Sequence, residues 1–98
     1  MLEISFKRSD SFDLLTVEVQ TDLVPIAYVH QQLDKLIQEH DMRGKLLKIN
    51  GLYPVALCYT IAKKVSALYS AIAVYDSLSD GYIVSASKNP DYSIGQVI

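Results

Sequence analysis

Three short stretches and two histidines hold the side chains of this sequence that could do chemistry. In "LLKINGLYPVALCYTIAKK", residues 46–64, an apolar run breaks at Asn50-Gly51, and Pro54 then opens a helical pattern. Asn50 can read the edge of a sugar or base, and Gly51 lets the backbone approach a phosphate closely. Pro54 fixes the helix start, whose free N–H groups favour an anion, and Tyr53 offers a stacking face for a base. Asp76 closes the apolar strand "AIAVYD", where it could ligate a metal or serve as a general base. Lys88 follows "YIVSAS" and could contact a phosphate. His30 and His40 stand ten positions apart on one helix, do not share a face at its pitch, and read as surface residues. Each feature also has a plain structural reading. Asn-Gly before a proline-opened helix is a common way to turn a corner, and aspartate is an ordinary turn opener.

The elements that must position these residues follow from the period of the apolar side chains. "LEISF" and "FDLLTVEVQ" alternate and, joined by the polar "KRSDS", predict a first β-hairpin. Ile26, Val29, Leu33, Leu36 and Ile37 recur every three or four residues, predicting an amphipathic helix with Pro25 near its first turn. Arg43-Gly44 is the expected stop, with glycine free to turn left-handed. "KLLKI" is a short strand. Cys58, Ile61, Ala62, Val65, Leu68 and Tyr69 form the stripe of a second helix, apolar enough to be covered on two sides, with Lys63-Lys64 as its solvated strip. "AIAVYD" is the continuous run of a central strand, "SLSDG" a turn and "YIVSAS" its hairpin partner. "KNPDYSIGQVI" is an irregular tail with a last apolar touch at Val97 and Ile98. The order is β-β-α-β-α-β-β, an α/β fold in one domain over 1–98. Its strand–helix–strand crossover makes the third and fourth strands parallel with a right-handed connection. Asn50-Gly51 and Asp76 then share the ligand-binding edge of the sheet, and Lys88 emerges at the opposite edge.

Composition bounds the function. The 98 residues carry nine basic and eleven acidic side chains, a formal net charge of −2. That balance argues against a duplex-DNA binder, which needs a basic surplus, and leaves room for a local pocket for a few phosphates. Cys58 is the single cysteine, which excludes a disulfide framework or a thiolate metal cluster within one chain and suits a reduced core filler. Neither a signal-peptide run nor a membrane-length apolar segment is present, so a cytoplasmic protein is expected. Seven tyrosines and no tryptophan leave rings for bases, for a subunit interface or for core packing with hydroxyls at the rim.

The ordered set "ING" (49–51), Pro54, "IAVYD" (72–76), "DGYIVSAS" (80–87) and "PDYSIGQVI" (90–98) resembles the small CRISPR-associated Csx family of type III systems, described as ring nucleases and manganese-dependent deadenylating exoribonucleases. The resemblance covers residues 46–98, and the N-terminal half by element order. It implies a compact CRISPR-associated Rossmann-like or ferredoxin-like sheet with two helices. It also implies a homodimer that stacks further, to a tetramer, around cyclic tetra-adenylate or a short RNA, which it cleaves, damping antiviral signalling. By similarity Asn50, Gly51, Tyr53 and Pro54 match the ligand-binding turn, and Asp76 the acidic residue of the catalytic, metal-linked site. The family's histidine near the end of the second helix falls on Ser66, Ala67 and Leu68 here, and that of its tail on Ser87, Lys88 and Asn89. Both imidazoles are lost, and the proline after the family's aspartate is Ser77. Ser87 then stands as a ligand contact and Lys88 as the cation that holds a phosphate, since a protonated lysine neither ligates manganese nor accepts a proton. The alternative is a cyclic-oligoadenylate sensor or sequestering domain without catalysis, the sensory portion of a longer protein.

Overall fold

Alternation in the N-terminal third sends one set of side chains inward, and the rest of the chain is built to cover that set. The computed structural model describes residues 2–19, 26–52 and 55–98. Its elements are β1 (Leu2–Arg8), β2 (Asp13–Val19), α1 (Ile26–His40), β3 (Gly44–Leu52), α2 (Val55–Val65), β4 (Tyr69–Asp76) and β5 (Gly81–Ser87). One five-stranded sheet runs in the order β1-β2-β3-β4-β5. β2, β3 and β4 are parallel, and the outer strands β1 and β5 are antiparallel to their neighbours. Two crossovers of one hand that step in the same direction place both helices on the same face of the sheet.

That face holds the main core. Leu15 and Val17 of β2, Leu47 and Ile49 of β3 and Ile72 of β4 pack against Val29 and Leu33 of α1 and Leu57, Ile61 and Val65 of α2. Each such side chain contributes about 1.5–3 kcal/mol by leaving water. On the other face a smaller cluster of Leu46, Ala71, Ala73 and Val84 is covered by Phe12, Tyr82, Tyr92 and Ile98. The tail reaches it by pairing along β5, with Ile98 N donating to Tyr82 O (2.8 Å) and Gly95 N to Val84 O (2.8 Å). Gly81 permits this approach, because a Cβ there would stand 2.8 Å from Val97 Cγ1.

Element order and strand directions match the sequence reading, and several boundaries differ for local reasons. β1 runs on through Lys7 and Arg8, which pair with Leu14 and Asp13 rather than forming the turn. Asn50-Gly51 is not a turn: parallel pairing with Thr16 and Val17 carries β3 on to Leu52, with Gly51 at φ 140°, a conformation glycine tolerates. α1 stops earlier than Arg43-Gly44. Asp41 takes the left-handed position (φ 48°), and Met42 N closes back on Ile37 O at 3.2 Å, the bond of a six-to-one helix stop. α2 ends at Val65, so Tyr69 opens β4 instead of extending the helical stripe. Nor is α2 covered on two sides, since Tyr59 is 68% exposed. Pro25, Tyr53 and Pro54 lie outside the described residues. Among the described residues no helix is long and apolar enough to cross a membrane.

Candidate functional site

The parallel strands have two ends, and the sequence-predicted residues divide between them. At the carboxyl end, the last register pair of β3 and β4 is Ile49 with Val74, so two residues on Gly51 and Asp76 stand level. Asn50, half-buried, shares the parity of Lys48 on the sheet face away from the helices, in register with Thr16. α2 starts at this edge. The fold therefore brings Asn50, Gly51 and Asp76 together; Tyr53 and Pro54, predicted beside them, lie outside the described residues.

Asp76 is already engaged. Its Oδ2 accepts the Ser79 N–H at 3.0 Å, the bond by which an aspartate opens a turn. Asp80, on the same turn, takes the Tyr75 hydroxyl at 3.1 Å, and that bond, then the charge of Asp80, raises the Tyr75 pKa above the ordinary tyrosine value. Both carboxylates of this turn, Asp76 and Asp80, are thus held by hydrogen bonds where the resemblance implies manganese. Among the described residues no group of three or more histidine, cysteine or carboxylate side chains gathers there or elsewhere. The described residues of a single copy do not form a chelating set.

The amino end of the strands is richer. Ser66, Tyr69, Ser70, Ile72, Ala86, Ser87 and Lys88 line a cleft of about 180 Å³. β5 runs antiparallel to β4, so its last residues arrive beside the first residues of β4, and Lys88 N donates to Ser70 O at 2.8 Å. This anchors the Lys88 backbone while its side chain stays exposed. Ser87 Oγ donates to Tyr92 O (2.8 Å) and accepts from Asn89 N (3.1 Å). Ser70 Oγ donates to Lys45 O (2.9 Å), and Ser66 Oγ to Lys63 O (3.1 Å). The serines shape the cleft, and the ammonium of Lys88 is its available charge. Asp76 and Lys88 do not meet within one chain. Asp76 lies six residues along β4 from Ser70, roughly 20 Å at the rise of a strand.

Sequence reasoning missed the most ordered polar group of this end. Asp13, first in β2 and 6% exposed, sits on the same face as Leu15 and Val17. Arg8 Nε and Nη2 reach its two carboxylate oxygens at 3.2 and 3.3 Å, and the Tyr69 hydroxyl donates to Oδ2 at 2.6 Å. Arg8 Nη2 also donates to Asp41 O at 3.2 Å, tying the end of α1 to the network. Burial, then the hydrogen bond to Asp13, then its charge, push the Tyr69 hydroxyl well above the ordinary tyrosine range. It is held as a neutral donor on the wall of the cleft. The signal was parity: an aspartate in phase with an inward apolar set must find partners.

A second interhelical group also departs from the sequence reading. Lys64, predicted in a solvated strip, reaches Asp34 Oδ1 at 2.6 Å and His30 Nε2 at 3.0 Å, bridging α2 to α1. His40 stacks on Phe6 at 4.9 Å between ring centroids, so the two histidines do not face a common site. Cys58 is half-buried.

No protein-family model matches this chain, and no curated protein matches it.

Proposed function

We propose that this chain is a cytoplasmic domain that binds cyclic tetra-adenylate, or a short RNA, between copies of itself and opens the ring, damping type III CRISPR antiviral signalling. One observation carries the reading. The two positions at which the resembling family has histidines fall on Ser66–Leu68 and Ser87–Asn89, and Ser66, Ser87 and Lys88 line the same cleft. Those positions are far apart in the sequence, and their convergence is what a retained ligand site requires. Lys88 holds a phosphate there, while the Tyr69 hydroxyl, committed to Asp13, fixes the ring that forms the wall. Asn50, Gly51 and Asp76 stand at the far edge, so a ligand that engages both sets lies between two copies.

Chemistry without imidazole follows from positioning. The ligand's own 2′-oxygen attacks the adjacent phosphorus, the bond from phosphorus to the 5′-oxygen breaks, and the departing oxygen takes up the proton that the 2′-hydroxyl gave to solvent. Holding these atoms in line and placing a cation beside the phosphate supply the rate enhancement. The second reading, a sensor that binds without cleaving, is favoured by the serine hydroxyls already satisfied by backbone carbonyls, which leave no free base in the cleft.

Incubation with labelled cyclic tetra-adenylate, in manganese and in chelator, resolves these readings. Linear products indicate a ring nuclease, and their loss in chelator indicates that the step needs a bound metal. Intact, stoichiometrically bound ligand indicates a sensor. Lys88→Ala is expected to weaken binding or turnover about tenfold, the scale of one charge-assisted contact, with the melting temperature unmoved. Absence of both binding and cleavage in the wild type overturns the proposal.

A further inference from the structure

The two outer strands of the sheet are finished differently. Along β5 the tail occupies the outer edge, with Tyr82, Val84, Gln96 and Ile98 exchanging backbone hydrogen bonds. β1 is the other outermost strand, and among the described residues nothing pairs with its outer edge. It is seven residues long, "LEISFKR", with no proline, glycine or bulge to blunt it. Such an edge is a template for another strand.

The side chains of β1 say which strand. Glu3 lies directly opposite Glu18 in its own hairpin, a like-charge pair that disfavours the fold. Lys7 lies opposite Leu14. Among the described ion pairs neither Glu3 nor Lys7 takes part. Both are exposed, as is Ser5 midway between them. An antiparallel copy of β1 placed with a two-fold axis at Ser5 sets Glu3 against Lys7 of the partner subunit, twice. It also sets Ile4 against Phe6 of the partner subunit, twice. A shift of two residues either way separates the charges and faces Glu3 or Lys7 with Ser5. On the helix side, Ile4 already lines a groove of about 140 Å³ with Gln32, Lys35, Leu36 and Glu39 of α1. The paired phenylalanine would lie at its mouth.

We propose that β1 is a homodimer interface, pairing antiparallel with β1 of a second copy about a two-fold axis at Ser5 to make one continuous ten-stranded sheet. The pairing is isologous, as a two-fold interface must be, because the strand's charge order is complementary to its own reverse. It lies at the opposite edge of the sheet from β4 and β5, so it is distinct from the contact that joins the two halves of the proposed ligand site; it rests on the β1 geometry alone, and its test uses no nucleotide.

Sedimentation equilibrium of the nucleotide-free protein measures it. The wild type is expected to dimerise. Glu3→Lys or Lys7→Glu alone sets like charges opposite at two symmetry-related places, and each is expected to weaken dimerisation by roughly tenfold or more. Combining the two reversals restores the dimer. In a Cys58→Ser background, Ser5→Cys is expected to form an intermolecular disulfide on mild oxidation, since residues facing across an antiparallel pair lie within disulfide reach. Glu3→Cys alone should not. A wild type that stays monomeric, a dimer indifferent to both single reversals, or a double reversal that fails to restore it overturns the proposal. Circular dichroism of each variant separates lost pairing from lost folding.

Discussion

The two ends of the parallel strands are built on opposite principles. At the amino end Asp13, 6% exposed, is gripped by Arg8 and Tyr69, so charge, burial and hydrogen bonding all fix one arrangement. At the carboxyl end Asp76, half-buried as the last residue of β4, holds a single backbone N–H, that of Ser79 in the exposed turn. Both are aspartates at the end of a strand. One is a structural keystone beside a cleft, and the other is free to change partners. The difference lies in the groups each strand end faces, since a carboxylate left buried without partners costs far more than one left in water.

The largest expected effect in breaking that contrast is at Asp13. Asp13→Ala leaves the Tyr69 hydroxyl buried with no acceptor and should cost about 2–3 kcal/mol. That corresponds to a fall in Tm of roughly 10–20 °C for a domain of this size. Thermal unfolding checks it, and a shift under a few degrees would mean that the network is not holding the amino end.

Tyr69→Phe sharpens the same point through pH. The folded hydroxyl titrates well above the ordinary value, so the unfolded chain loses its proton first as pH rises. Above about pH 10, where free tyrosine ionises, the unfolded state therefore binds fewer protons and stability falls with pH. Below that pH the contribution is fully present. The wild type should lose stability progressively above about pH 10, and Tyr69→Phe should flatten that slope while costing about 1 kcal/mol at neutral pH. Urea midpoints at neutral and alkaline pH compare the two, and equal slopes would exclude Tyr69 as the source.

Asp76→Ala should have the smallest effect on stability, about 0.5–1 kcal/mol, because it removes one exposed hydrogen bond to Ser79. Under the proposed function it should affect ligand turnover far more than folding. A destabilisation as large as that of Asp13→Ala would erase the distinction between the two ends.

Much of this was legible in the residues. The 2.0 and 3.6 periods placed every strand and both helices in order, and the apolar crossover at 46–75 established that β3 and β4 are parallel. The boundaries were less legible where pairing overrode local signals. Asn50-Gly51 reads as a turn in isolation, yet Thr16 and Val17 offer it a strand to pair with. Arg43-Gly44 reads as a helix stop, yet Asp41 reaches the left-handed position first and frees Gly44 to begin β3. Lys64 reads as solvated until α1 brings Asp34 to it. In the candidate site, Asn50, Gly51 and Asp76 were correctly placed at one edge and Lys88 at the other. Asp13 was overlooked because its significance rests on the company of Tyr69, 56 residues away.

The sequence by itself determined what each segment is, because hydrophobic period and turn chemistry act over a few neighbouring residues. It also determined the charge order of β1, which is complementary to its own reverse. The tertiary structure alone decided which polar groups meet. It put Asp13 against the Tyr69 hydroxyl, Ser66 in one cleft with Lys88, and the tail along β5, while among the described residues nothing pairs with the outer edge of β1. Those meetings depend on strands separated in sequence lying about 5 Å apart in space, and no local pattern carries that information.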